Sequence, residues 1–205
     1  MLELINHWGI GIKEQIHQIS IWEGIGVSFG VAEVLFAKKN KVWLYPCGIT
    51  SIIITAYLFF HAGLYAEMFL QTYYFFMSIY GWVLWSEKKG QRLTVEYSSS
   101  LEWKKAFAIV ISAWAILYIL LLFFTNSDVP FFDSLVSAFA WSGMWLLAKR
   151  KIENWIFLNV SNLIAIPLLI HKGLILYSAL TLFLFIIAVF GYVEWKKLIE
   201  KRTAD

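Results

Sequence analysis

Two sets of polar side chains stand where the surrounding sequence is otherwise apolar. Glu67, Gln71, Tyr74 and Ser78 recur at helical spacing, which places them on one face of a helix. Trp155, Asn159 and Asn162 recur in the same way within "ENWIFLN" and the residues that follow. An unpaired polar group in hydrocarbon costs several kcal/mol, so each position needs a reason. The chemistry these residues offer is recognition: an aromatic face, amide donors and acceptors, a hydroxyl and a carboxylate. Ser, Asn and Gln also bridge membrane helices without any ligand. Two such stripes on related bundles favour the ligand. Catalysis is a poor fit, since an enzyme needs an acid, base or metal cluster facing a cleft, and apart from Glu67 the spans offer almost no candidate.

The elements that must carry these stripes are membrane helices. The chain has 205 residues, 60% hydrophobic and 15% charged, with a mean hydropathy of +0.67, against about 45–50% apolar in soluble proteins. Its apolar runs are continuous and too long for the alternating strands of a barrel. They divide into seven spans near 20–37, 42–60, 64–85, 104–124, 131–148, 154–170 and 173–195. The polar start, "MLELINHWGIGIKEQIHQI", reads as an amphipathic helix lying on the membrane surface. Cys47 is the single cysteine, so no internal disulfide forms.

Basic residues crowd one side: Lys38, Lys39 and Lys41, Lys88, Lys89 and Arg92, Lys104 and Lys105, Lys149 to Lys151, and the Lys196–Arg202 tail. The positive-inside rule makes that side cytoplasmic, with the amino terminus outside and the carboxyl terminus inside. The net charge of +3 therefore reports topology; the basic residues form no nucleic-acid motif.

An internal repeat organises the spans. "HAGLY" at 61–65 matches "HKGLI" at 171–175, and "YGWVLWSEKK" at 80–89 matches "FGYVEWKKLI" at 190–199, both at a shift of 110 positions. Upstream, "LFAKKNKVW" resembles "LLAKRKIENW" with one extra residue in the second copy, which pairs Trp155, Asn159 and Asn162 with Trp43, Cys47 and Thr50. The chain, 1–205, then reads as one transporter-like domain: repeats over 20–85 and 131–195 joined by a helix over 104–124, a parallel 3+1+3 order. Shifted by the same interval, the span-three stripe becomes Tyr177, Thr181, Leu184 and Ala188. The second copy has lost most of that polarity, so a scaffold in two copies carries an asymmetric set of polar groups, as an asymmetric ligand requires. Gly63, Gly81, Gly173 and Gly191 read as close-packing positions. Trp82, Trp85 and Trp195 fall at span ends, where an interfacial aromatic belt is expected. His61 and His171 read as structural, with no metal site beside them.

"QTYYFFMSIYGWVLW" at 71–85, "ENWIFLN" at 153–159 and "FGYVEWKK" at 190–197 resemble the nicotinamide riboside transporter family, the PnuC-type vitamin transporters. The resemblance covers essentially all seven spans and includes the 3+1+3 order. It implies that the Trp-x-x-x-Asn motif, matched by Trp155 and Asn159, lines the vitamin site. Nicotinamide riboside is a flat pyridinium cation. Trp155 and Tyr74 would give it an aromatic face, Asn159 would pair with its carboxamide, and Gln71 and Asn162 would meet ribose hydroxyls, with Ser78 on the same stripe. Glu67 would attract the cation at the outer mouth. The resemblance also implies a homotrimer and a cytoplasmic riboside kinase that traps the vitamin. The sequence has no phosphate-binding loop for ATP and no Lys, Arg or Asp at mid-membrane, so facilitated diffusion by alternating access is expected, with no cofactor. A thiamine carrier of the same fold is the alternative, because relatives in the superfamily move that vitamin.

Overall fold

In a computed structural model, residues 20–61, 65–86, 93–125 and 128–204 are described. They form seven helices: α1 Ile21–Lys38, α2 Leu44–His61, α3 Tyr65–Ser86, α4 Ser100–Phe124, α5 Pro130–Ala148, α6 Asn154–His171 and α7 Ile175–Ala204. Five of them are long and apolar enough to cross a membrane. The other two are α1, which carries Glu23, Glu33 and Lys38, and the Tyr- and Trp-rich α3. The expected surface helix at the amino terminus lies outside the described residues, as does Gly63.

Helix ends follow local chemistry. Ser20 caps α1 by accepting from the Glu23 amide, and Ser99 with Glu102 forms a reciprocal capping box on α4. Pro130 opens α5, where its missing N–H costs nothing. Helices α1, α5 and α6 close with the same turn. The sixth amide bonds back to the first carbonyl in Lys41 to Phe36, Lys151 to Leu146 and Leu174 to Leu169. The left-handed residue in each is Asn40, Arg150 and Gly173. Gly173 is therefore a turn residue with open space around it, not a packing position.

These turns also correct the register of the repeat. Asn40 and Arg150 are equivalent, α2 and α6 begin at equivalent residues, and the shift of 110 holds without an inserted residue. Ser51 of α2 donates to the Gly26 carbonyl of α1, and Ser161 of α6 donates to the Val136 carbonyl of α5, each at 2.8 Å. The spatial counterpart of Trp155 is thus Tyr45, and those of Asn159 and Asn162 are Ile49 and Ile52. Matching by tryptophan identity picked Trp43, which is 62% exposed while Trp155 is buried.

Packing within each repeat runs first helix to second to third. Between repeats, α1 meets α7 and α3 meets α5, an exchange in which each repeat gives its third helix to the other's first. Two tryptophans fix this crossing. Trp85 of α3 donates its indole N–H to the Ala148 carbonyl at 3.1 Å, and Trp195 of α7 donates to the Ala37 carbonyl at 3.0 Å. Both are buried, so they belong to the core and not to an interfacial belt; Trp82, 41% exposed, fits the belt. Helix α4 packs mainly on α5 and presents Ile111, Ile116, Phe123 and Phe124 outward.

The segment before α4 is stitched to the α5–α6 turn. Glu96 exchanges backbone hydrogen bonds with Arg150 and Ile152, and Lys151 bridges Glu96 and Glu102 at 2.9 and 3.0 Å. Glu153 accepts from the amide and hydroxyl of Ser98, while Asn154 donates to the Lys151 carbonyl. The polar start of "ENWIFLN" is therefore structural. Burial pulls the Lys151 ammonium towards losing its proton, but hydrogen bonds to Glu96 and Glu102 outweigh it and hold it above its ordinary value.

Candidate functional site

Between α1, α5, α6 and α7 lies a cavity of about 170 Å³. Its lining from α6 is Trp155, Leu158 and Asn162, two of which belong to the polar stripe. Helix α1 contributes Val34 and Ala37, and α5 their repeat equivalents Met144 and Leu147, so both repeats meet at this cavity. Helix α7 contributes Leu184 and Ala188, the apolar counterparts of Tyr74 and Ser78. The remaining lining residue is Glu33 of α1.

Trp155 is 2% exposed and held from two sides. Its ring sits edge-on to Trp195 at 5.5 Å, and it lies so close over Gly191 that a Cβ there would come within 2.7 Å of the indole. Tyr45 occupies the matching place over Gly81 and against Trp85. Gly81 and Gly191 therefore are close-packing positions. The indole N–H of Trp155 has no hydrogen-bond partner, nor has the buried Oδ1 of Asn159. Buried polar atoms are normally satisfied, and these two are among the buried side-chain atoms of the described residues that are not. Asn159 stands on the same face of α6 as Trp155 and Asn162, but it is not part of the cavity wall.

On α3, Ser78 is fully buried and its hydroxyl is unpartnered. Tyr74 packs edge-on with Tyr73, which stacks on Trp141 at 4.2 Å and donates to its carbonyl. Gln71 is half-buried one turn away. None of the described side chains of the α3 stripe lines the cavity. Glu67 falls in the first turn of α3, and its side chain lies outside the described residues. The cavity thus joins Trp155 and Asn162 and leaves out Gln71, Tyr74 and Ser78.

Glu33 is the residue that sequence reasoning passed over when it found no acid but Glu67. Its carboxylate lies over Gly48 of α2, where a Cβ would meet Oε1 at 2.6 Å. The signal was present in "GVAEVLF", a carboxylate five positions from the nearest charge, Lys38, in an apolar run. His61 packs against Tyr57, and His171 pairs with Asp128 at 3.4 Å. Among the described residues no three His, Cys, Asp or Glu side chains gather as metal ligands.

A wider hollow of about 570 Å³ opens on the side of the basic loops, lined in part by Trp85, Arg150 and Arg202. The Arg150 guanidinium lies over the Trp85 ring at 4.0 Å and donates to the Leu93 carbonyl. Trp155 borders the cavity and Trp85 borders the hollow, with Trp195 touching both rings. Three packed tryptophans thus run from the wall of one space to the wall of the other.

Comparison with known proteins gives one consistent picture. The chain is 23% identical to the nicotinamide riboside transporter PnuC of Escherichia coli (strain K12), over 87% of this chain and 86% of that one. It is 25% identical to the protein of the same name from Neisseria mucosa, over 86% and 72%. The crystal structure of the vitamin B3 transporter PnuC has the same fold, with a TM-score of 0.70 at 21% identity, covering 97% of this chain and 90% of that one. The model of the nicotinamide mononucleotide transporter family matches residues 20–197, nearly the whole described chain, and the protein belongs to that family.

Proposed function

We propose that this protein imports nicotinamide riboside, a vitamin B3 form and NAD precursor, across the bacterial inner membrane. The observation that carries the reading is the cavity itself: an indole, an amide and a carboxylate between two repeats, with the unpaired Trp155 N–H and Asn159 Oδ1 beside it. The ring would lie against Trp155, the carboxamide would meet Asn159, and Asn162, Gln71, Tyr74 and Ser78 would serve the ribose side. Glu67 would draw the cation to the outer mouth. The same chemistry argues for riboside over mononucleotide. The cavity has a carboxylate and, among the described residues, no Lys or Arg in its wall, so a phosphate would enter against like charge.

Transport proceeds by facilitated diffusion with alternating access, the two repeats rocking about the site. The carboxyl terminus and basic loops are cytoplasmic, and the amino terminus is outside. Direction comes from phosphorylation by a separate cytoplasmic kinase, and the protein has no enzymatic activity. The assembly is a homotrimer, which crosslinking in native membranes would read as a three-chain species. The test is titration of the purified protein with nicotinamide riboside and, in parallel, thiamine, repeated with Asn159→Ala. Riboside binding that Asn159→Ala removes supports the reading; binding of thiamine alone would keep the fold and replace the vitamin.

A further inference from the structure

We infer that Glu33 is the counter-charge that makes the cavity selective for a cationic ring, an assignment that rests on the substrate reading above. Glu33 lines the cavity together with Trp155 and Asn162. No hydrogen-bond donor or cation partners its carboxylate among the described residues; Lys38, one turn along α1, is engaged with Glu194 at 3.1 Å. A carboxylate held in a membrane bundle without a partner is costly, and such residues face a bundle interior or a ligand path.

The repeat shows that this acid is not filler. Glu33 and Gly48 of the first repeat correspond to Gly143 and Leu158 of the second. In the first repeat the first helix supplies the large side chain and the second helix a glycine beneath it. In the second repeat the roles are exchanged: a Cβ on Gly143 would lie 2.8 Å from the Leu158 side chain, as one on Gly48 would lie 2.6 Å from Glu33. The same gap between neighbouring helices is filled once by an apolar side chain and once by a carboxylate. Packing alone is therefore satisfied by leucine. The first repeat keeps an acid and clears a glycine to seat it, and both Glu33 and Leu158 reach the one cavity.

The cavity's size fits the assignment. At about 170 Å³ it is smaller than the ~300–1,000 Å³ of a site for a whole drug-sized ligand. It takes a ring-sized group, which for a riboside is the charged pyridinium. Opposite charges a few ångströms apart at a half-buried site attract strongly enough to set a preference of on the order of ten-fold or more.

The experiment compares nicotinamide riboside with its reduced dihydro form, which has nearly the same shape but an uncharged ring. Dissociation constants are measured for wild type, Glu33→Gln and Gly48→Ala, with melting temperatures alongside. Wild type is expected to prefer the cation by about ten-fold or more, and Glu33→Gln to bring the ratio to about one. Gly48→Ala keeps the charge but displaces the carboxylate, so its ratio is expected to fall as well; it serves if Glu33→Gln does not fold. An unchanged ratio in whichever variant folds overturns the assignment to Glu33 alone. Failure of wild type to bind the riboside overturns the substrate reading and this inference with it.

Discussion

Trp155 is held by Gly191 and Trp195 and still has an unsatisfied N–H, so packing and recognition can be separated by substitution. Trp155→Phe keeps most of the ring and removes the donor. Riboside affinity should fall by about five- to ten-fold, the worth of one hydrogen bond, and the melting temperature, read alongside, measures the packing that the smaller ring gives up. Gly191→Ala acts on the same site from behind. Its Cβ would press on the indole, and since the ring is wedged it cannot yield as a flexible side chain does. Thermal unfolding should show a loss of about 1–3 kcal/mol, accompanied by weaker binding. The sequence made Trp155, Asn159 and Asn162 visible because polarity inside an apolar run is costly. Glu33 was masked by the basic turn near it, and its seat on Gly48 and its place in the cavity wall show that it points inward.

At the scale of elements, the helices were legible because twenty-residue apolar runs leave the chain few choices. The register between repeats was not, because Trp43 and Trp155 match as letters while their turns align Tyr45 with Trp155. Turn geometry depends on backbone hydrogen bonds that one sequence does not display. The serine pair tests the corrected register: Ser51→Ala and Ser161→Ala each remove one interhelical bond from equivalent places. Each should cost about 0.6 kcal/mol, and the double variant should be additive. The Lys151 network gives a pH expectation. Its folded value is raised, so its stabilisation is complete below the ordinary lysine value and is lost only as pH rises through the higher folded one. Hydrogen exchange in the 93–99 segment should therefore stay protected through neutral pH, apart from its intrinsic rate change, and open only in strong alkali. Lys151→Met should open it at neutral pH.

For the whole molecule, the crossing of α1 with α7 and α3 with α5 places the Trp85 and Trp195 hydrogen bonds on the basic-loop side of the cavity. If the repeats rock, these two contacts must release together. Trp195→Phe should then raise the exchange rate of riboside across proteoliposomes more than it changes equilibrium affinity; an equal effect on both would argue that the crossing is static. The seven-helix 3+1+3 plan was readable from hydropathy and the repeat, whereas the division between cavity and hollow was not. It depends on side chains far apart in sequence that meet only when the helices cross.

The exchanged pair of Glu33 over Gly48 and Leu158 over Gly143 has a consequence for counting. A protein built from two like halves would ordinarily offer two like sites, and occupancy could reach two per chain. Here the second half has glycine where the acid would stand, and the leucine that replaces it reaches the same cavity as the acid. On the proposed reading the duplication yields one site made jointly, and saturation by calorimetry should stop at a stoichiometry of one ligand per polypeptide.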